Sequence, residues 1–327
     1  MASQIITTES SLSNPIAQDQ VRDFYEYTQK DKSKSSRRTY AFGWSRFTEW
    51  CNDHGYSLGN PKEVPLFVGM FLSAMAKEKK LKLASLNTYL AAIKHHLWEI
   101  MKIELDHPEI KRAMKGIRNE MRSVPKNKKK AILVEDLREI LKPMEGSDKL
   151  IDIRDRALLL LGFAGGFRRS ELAAIRLEHI SFDRGGISVL LPWSKTDQGG
   201  QGQVVQIPFG RHEETCPVTA LNRWLEKANI TEGAIFRPVN RHGFIGANQI
   251  TEKAIALIVK KRGGGLFNES EIAGHSLRRG LVTSALEAKA PETLVMKQTR
   301  HKSVNMLKEY YQDVRDYRNN AINSLNL

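Results

Sequence analysis

At 327 residues, with 51 Lys and Arg against 37 Asp and Glu, the chain carries a formal charge of +14. It is too long for one small core, and its charge selects a polyanionic partner: nucleic acid first, an anionic membrane surface second. No stretch approaches the roughly 18 apolar residues needed to cross a bilayer. The start, MASQIITTESSLSNPIAQDQ, lacks the basic-then-apolar order of a secretory signal, and Cys51 and Cys216 belong to no CxxC or Cys/His cluster. A membrane span, a disulfide scaffold and a zinc site are set aside, which leaves a soluble, two-domain, cytoplasmic protein as the expectation.

Residues 1–19 are polar, rich in Ser and Thr and without apolar period, the composition of a flexible arm. From residue 20 to 122 a helical domain is predicted. After Ser36, Tyr40, Trp44, Phe47 and Cys51 recur at i, i+4, i+7, i+11, one buried stripe closed by Asn52 to Gly55. A second helix is expected over Val64 to Lys77, after Pro61, and a third from about Ala84 to Met101. The third would bury Leu86, Leu90, Ile93, Leu97 and Ile100, leaving Ser85, Thr88, Ala92 and His95 as a narrow strip that can approach DNA closely. A fourth, Glu109 to Arg122, sets Ile110, Ala113 or Met114, Ile117 and Met121 beside a stripe of Lys111, Lys115, Arg118 and Arg122. That stripe suits a helix laid along phosphates, and an ordinary solvated face has the same period.

The run SVPKNKKKA, residues 123–131, has a proline, four lysines including Lys128 and Lys129, and only isolated small apolar residues. It is read as a basic linker, a strap against a polyanion. Residues 132–327 then form the second domain. LVEDLREILKPM and DIRDRALLLLGFAGGFRRSELAAIRLEHI read as helices broken at Gly165 and Gly166, and ISVLLPWSKTDQGGQGQVVQIPF as an antiparallel hairpin with Lys195 at its turn. ITEKAIALIVKKR, GHSLRRGLVTSALEAK, PETLVMKQTR and SVNMLKEYYQDVRDYRNNAINSL read as helices. The fold class expected is mainly α with a small antiparallel sheet in the C-terminal domain.

Singly these motifs are weak, since an HxxR on a helix is usually structural and a hairpin lysine usually solvated. Together they resemble the tyrosine recombinase, or phage integrase, family across the whole second domain, with a Cre-like or Xer-like two-domain layout. GGFRRSELAAI resembles the first arginine box, which implies Arg168 as a catalytic arginine and Glu171 as its acidic supporter. Lys195 in WSKTDQG resembles the mobile hairpin lysine, GHSLRRG the box holding His275 and Arg278, and RHKS the box holding His301. Nine residues after His301 stands Tyr310, the implied nucleophile. On a helix from Ser303 the stripe Val304, Leu307, Tyr311 and Val314 would turn Tyr311 inward and Tyr310 toward a substrate. Two positions depart from the pattern: Phe167 stands for the common leucine and Arg300 for the common glycine.

The resemblance implies a site-specific recombinase that cuts and rejoins DNA through a 3′-phosphotyrosyl intermediate and a Holliday junction, without metal, ATP or other cofactor. It implies double-stranded DNA with inverted half-sites as partner, a homodimer on each site, and a homotetramer in the synapse. It also implies a C-shaped clamp whose major-groove contacts include Ser85, Thr88, His95 and, from the helix starting near Thr251, Lys253. The context would be nucleoid-associated, in a prokaryote, phage or mobile element. A first domain beginning near Asp19 leaves no room for an arm-site domain, and Ala321, Ile322 and Leu325 in the tail suggest a C-terminal helix docked in trans. A type IB topoisomerase uses a similar residue set, and a catalytically silent DNA-binding homologue would keep the fold; both stand as alternatives.

Overall fold

The apolar stripe from Tyr40 to Cys51 lies on α2 (Lys34–Asp53), which starts where the Ser33 hydroxyl accepts from the Ser36 N–H. The computed structural model describes residues 15–29, 31–121, 129–192, 202–301, 303–307 and 310. Contacts divide the chain into two units, 1–126 and 127–327. Arg122 at the end of the fourth expected helix, Lys128 of the linker, the hairpin turn with Lys195, and the tail from Tyr311 onward lie outside the described residues.

In the first unit α1 (Pro15–Gln29) begins inside the span expected as an arm. It is followed by α2, α3 (Val64–Lys77), α4 (Leu83–His96) and α5 (Pro108–Glu120). Phe47, Phe71, Leu72, Leu86, Ile93 and Leu97 are fully buried, and each such side chain contributes about 1.5–3 kcal/mol by leaving water. Two expectations for the third helix fail. Ala92 is not on an open strip: it is buried against Gly43, where an added Cβ would come within 2.8 Å of the Ala92 methyl, so α2 and α4 cross on two small residues. Ile100 is 62% exposed, because Leu97–Met101 forms a π-turn that rotates it off the α-helical stripe.

In the second unit α6 (Val134–Leu141) precedes α7 (Leu150–Ala164), whose run from Ala157 to Phe163 is buried on every side, as a helix at the centre of a core must be. α8 (Arg169–Ala174) leads into β1 (Ile180–Asp183), β2 (Gly186–Leu191) and β3 (Gln203–Pro208). The three strands form one antiparallel sheet in the order β1-β2-β3, with Val189 opposite Val205. Then come α9 (Pro217–Lys227), α10 (Glu252–Gly263), α11 (His275–Glu287) and α12 (Glu292–Thr299). The mainly helical class and the hairpin agree with the sequence reading. The sequence reading of DIRDRALLLLGFAGGFRRSELAAIRLEHI as helix runs one residue into β1, and it assigns no element to the stretch that forms α9. β1 is four residues long with only Ile180 buried, too short to show a period of two. α9 is anchored instead by Trp224, which donates its indole N–H to the Ile235 carbonyl at 2.7 Å.

Candidate active site

Four sequence segments meet at the end of α7. Gly165 closes that helix, and Gly166 turns the chain with φ +53, a left-handed conformation in which a side chain would also press on Thr299. The turn leaves Arg168 at the cap of α8. There Glu171 folds back and accepts from the Arg168 backbone N–H at 2.9 Å and from its guanidinium at 2.5 Å. Burial alone would raise the Glu171 carboxyl, but Arg300 and the Arg168 bonds hold it below the usual carboxylate range.

α11 brings His275 and Arg278 to the same place. Its approach depends on Gly280, where a Cβ would lie 1.7 Å from the Ile132 carbonyl oxygen. That contact belongs to a strap: Lys130 N–H donates to Glu271 O at 2.8 Å, Ile132 N–H donates to Ser276 O at 3.1 Å, and the Lys129 amine donates to Ser270 O. Lys129, expected against DNA, is thus engaged with its own unit in this structure. Arg278 is 1% exposed; its Nη1 donates to Gly166 O at 2.6 Å, and its Nη2 has no hydrogen-bond partner among the described residues. Burial and the charges of Arg168 and Arg300 push Arg278 down to about 10, which still leaves it a cation at neutral pH.

His301 follows α12. Thr299 gives its hydroxyl proton to Val295 O at 2.6 Å and lies 2.8 Å from His301 Nδ1. Because its one proton is committed, Thr299 accepts from Nδ1–H, so Nε2 is the bare nitrogen of the neutral ring. Burial, then Arg278, Arg168, His275 and Arg300, lower His301 to about 4. The packing around His275 and the charges of Arg278, Arg168, Arg279 and Arg169 likewise lower it to about 4. His275 itself is exposed at the surface.

Tyr310 sits beside this cluster, its ring 5.6 Å from that of His301 and beneath the Arg279 guanidinium at 5.6 Å. The route by which the sequence placed it does not hold. Val304–Met306 is a 3-10 turn, Val304 is 44% exposed, and Tyr310 itself is 9% exposed, packed with Val282, Leu286, Val295 and Leu307. Tyr310 reaches the cluster from a buried position. Arg279, over the tyrosine ring, was not singled out from sequence; only its place in the HSLRRG run marked it.

In the first unit Lys111, Lys115 and Arg118 are exposed on α5 and, with Lys94, line a 410 Å³ groove between α4 and α5. Lys111 is paired with Asp106 at 2.7 Å. Ser85 is exposed, the Thr88 hydroxyl donates back to Ala84 O at 2.9 Å, and His95 packs 5.4 Å from Tyr40. In the second unit Lys253 is exposed in the first turn of α10. Among the described residues no three His, Cys, Asp or Glu converge as metal ligands, and no helix is long and apolar enough to cross a membrane.

Residues 130–317 match the model of the Phage integrase family. An integrase/recombinase xerD homolog of Selenomonas ruminantium is 35% identical over 302 residues, covering 91% of this chain and 87% of its own. The tyrosine recombinase XerA of Pyrococcus furiosus is 24% identical, with 94% of each chain covered. Among solved structures, XerH bound to palindromic difH substrate in a post-cleavage complex superposes with a TM-score of 0.62 at 20% identity, covering 85% of this chain and 76% of that one. A lambda integrase fragment, as a dimer bound to a COC′ core site, gives 0.56 at 16% identity, covering 88% and 93%.

Proposed function

The chain belongs to the phage integrase family, the tyrosine recombinases, and we propose on that basis that it is a site-specific DNA recombinase acting through a 3′-phosphotyrosyl intermediate. The observation that carries the reading is the clustering of Tyr310, His301, Arg278 and Arg168 in one cationic site, with a buried Arg278 donor left over.

The Tyr310 oxygen attacks the scissile phosphorus while the bond to the 5′-oxygen breaks. His275 takes the phenolic proton, and Lys195 returns a proton to the leaving 5′-oxygen. Negative charge building on the non-bridging oxygens is met by Arg168 and Arg278, with no metal or ATP required. His301 adds a third donor once the phosphate's charge has raised its pKa and Nε2 is protonated. Glu171 holds Arg168 in place. A 5′-hydroxyl from a second duplex reverses the attack, so strands are exchanged through a Holliday junction rather than hydrolysed.

Both units hold the duplex, 20–122 as the core-binding domain and 132–327 as the catalytic domain joined by the basic segment 123–131. Ser85, Thr88, His95 and Lys253 read the groove. Lys111, Lys115, Arg118, Arg122, Lys128 and Lys129 meet phosphates. A homodimer occupies the two inverted half-sites, and two dimers form the synapse. A 360 Å³ apolar groove lined by Val204, Leu281, Ala285, Leu294 and Val295 suits the tail residues Ala321, Ile322 and Leu325 of a second copy.

The test mixes purified protein with nicked duplexes from its own flanking DNA and looks for an SDS-resistant adduct in EDTA. Wild type should form it and Tyr310→Phe should not. A bound but unreacted duplex would leave a DNA-binding homologue, and supercoil relaxation without two-site exchange would leave a topoisomerase.

A further inference from the structure

Arg300 occupies a backbone conformation that favours glycine, with φ +59, yet it is a buried arginine with a side chain 4% exposed. A residue with a Cβ is strained there, so something must hold it. Its Nη1 donates to Gly165 O at 3.1 Å and Gln298 O at 2.9 Å, and its Nη2 donates to Gly166 O at 3.1 Å and Glu171 Oε2 at 2.8 Å. The guanidinium also lies over the Phe167 ring, 5.3 Å from its centroid. Phe167 in turn fits only because Gly165 is bare: a Cβ on Gly165 would fall 2.1 Å from that ring.

The two departures from the family pattern, Phe167 and Arg300, are therefore one contact. Through it Arg300 touches both proposed phosphate-binding arginines at one remove. Glu171 shares its two oxygens between Arg300 and Arg168, and Gly166 O accepts from both Arg300 and Arg278. We infer that Arg300 is a positioning residue, a buried crossbar that sets Arg168 and Arg278 for the phosphate and is coupled to Phe167, and that it makes no contact with DNA. The coupling is internal to the protein; its catalytic consequence rests on the recombinase reading.

The experiment is a double-mutant cycle of Phe167→Leu, Arg300→Gly and the pair, with Arg300→Lys beside it. Unfolding midpoint, affinity for an intact duplex and single-turnover cleavage of a nicked duplex are measured on each. Arg300→Gly should slow cleavage by about 10²-fold while affinity stays within about threefold, since a mispositioned donor weakens only the transition state. Arg300→Lys keeps the ion pair but not the fork and should fall between. The double variant should lose less, in both midpoint and rate, than the two single losses combined.

Cleavage by Arg300→Gly at the wild-type rate overturns the inference, as does a loss of duplex affinity matching the loss of rate, which would make Arg300 a phosphate contact. Should wild type form no adduct, the recombinase reading fails on its own, and the midpoint cycle still decides the contact: strictly additive midpoints overturn it.

Discussion

The ring of His301 lies 5.6 Å from that of Tyr310 and is inclined to it by 43°. Both rings are buried, and the histidine is held from behind by Thr299, so the pair is a packed element before any substrate arrives. Removing only the phenolic oxygen leaves that packing intact. Tyr310→Phe should therefore keep the unfolding midpoint within a degree or two and duplex affinity within about twofold, while abolishing the covalent adduct. Adduct formation by the phenylalanine variant would move the nucleophile elsewhere.

His275 and His301, both lowered from 6.5 to about 4, make stability depend on pH in a definite direction. Between those values the unfolded chain binds protons that the folded chain refuses, so stability rises with pH across the window. It is fully present above about 6.5 and is lost as pH falls toward 4. Denaturant midpoints from pH 4.5 to 7.5 should show a shallower slope in a His275→Gln/His301→Gln variant than in wild type. Equal slopes would show that neither ring is held neutral.

DNA should reverse that shift. Part of the lowering comes from Arg278 and Arg168, whose charge a bound phosphodiester offsets. Long-range proton–nitrogen NMR should find the His301 proton on Nδ1 in the free protein, and its titration should move up when a duplex is added to Tyr310→Phe. A proton on Nε2 in the free protein would contradict the Thr299 relay.

Gly280 has a structural role that can be separated from the chemistry. With a Cβ placed 1.7 Å from Ile132 O, Gly280→Ala must push α11 off the strap at 130–132. A loss of about 2–4 kcal/mol in urea unfolding is expected, the cost of overpacking a rigid contact. A loss below 0.5 kcal/mol would mean that the strap yields freely.

The α5 groove predicts a salt effect. Lys115→Ala and Arg118→Ala should each reduce the slope of log affinity against log salt by about 1, weakening binding across sequences alike. Lys111→Ala should change it less, because Lys111 is already paired with Asp106. Slopes unchanged in the first two variants would take α5 off the DNA path.

Local order was legible wherever a residue's role is set by its neighbours in sequence. The stripe of α2, the turn at Gly165 and Gly166, the hairpin partners β2 and β3, and the order of the boxes holding Arg168, His275, Arg278, His301 and Tyr310 are all local patterns. Periodicity and turn chemistry act within a few residues, and each box is a short motif recognised by its resemblance to the family's pattern. What depended on distant contacts was not legible. Ala92 was read as open because nothing nearby announces Gly43, and Ile100 was read as buried because a π-turn leaves no sequence period. The inward packing of Tyr310 depends on Val282, Leu286 and Val295, two of them on α11 and one on α12. Arg300 shows the difference most plainly: the sequence marked it as a departure from a pattern, while its meaning lies in Gly165, Gly166, Phe167 and Glu171, about 130 residues away along the chain. A buried charge is defined by what compensates it, and only tertiary structure brings the compensating groups together.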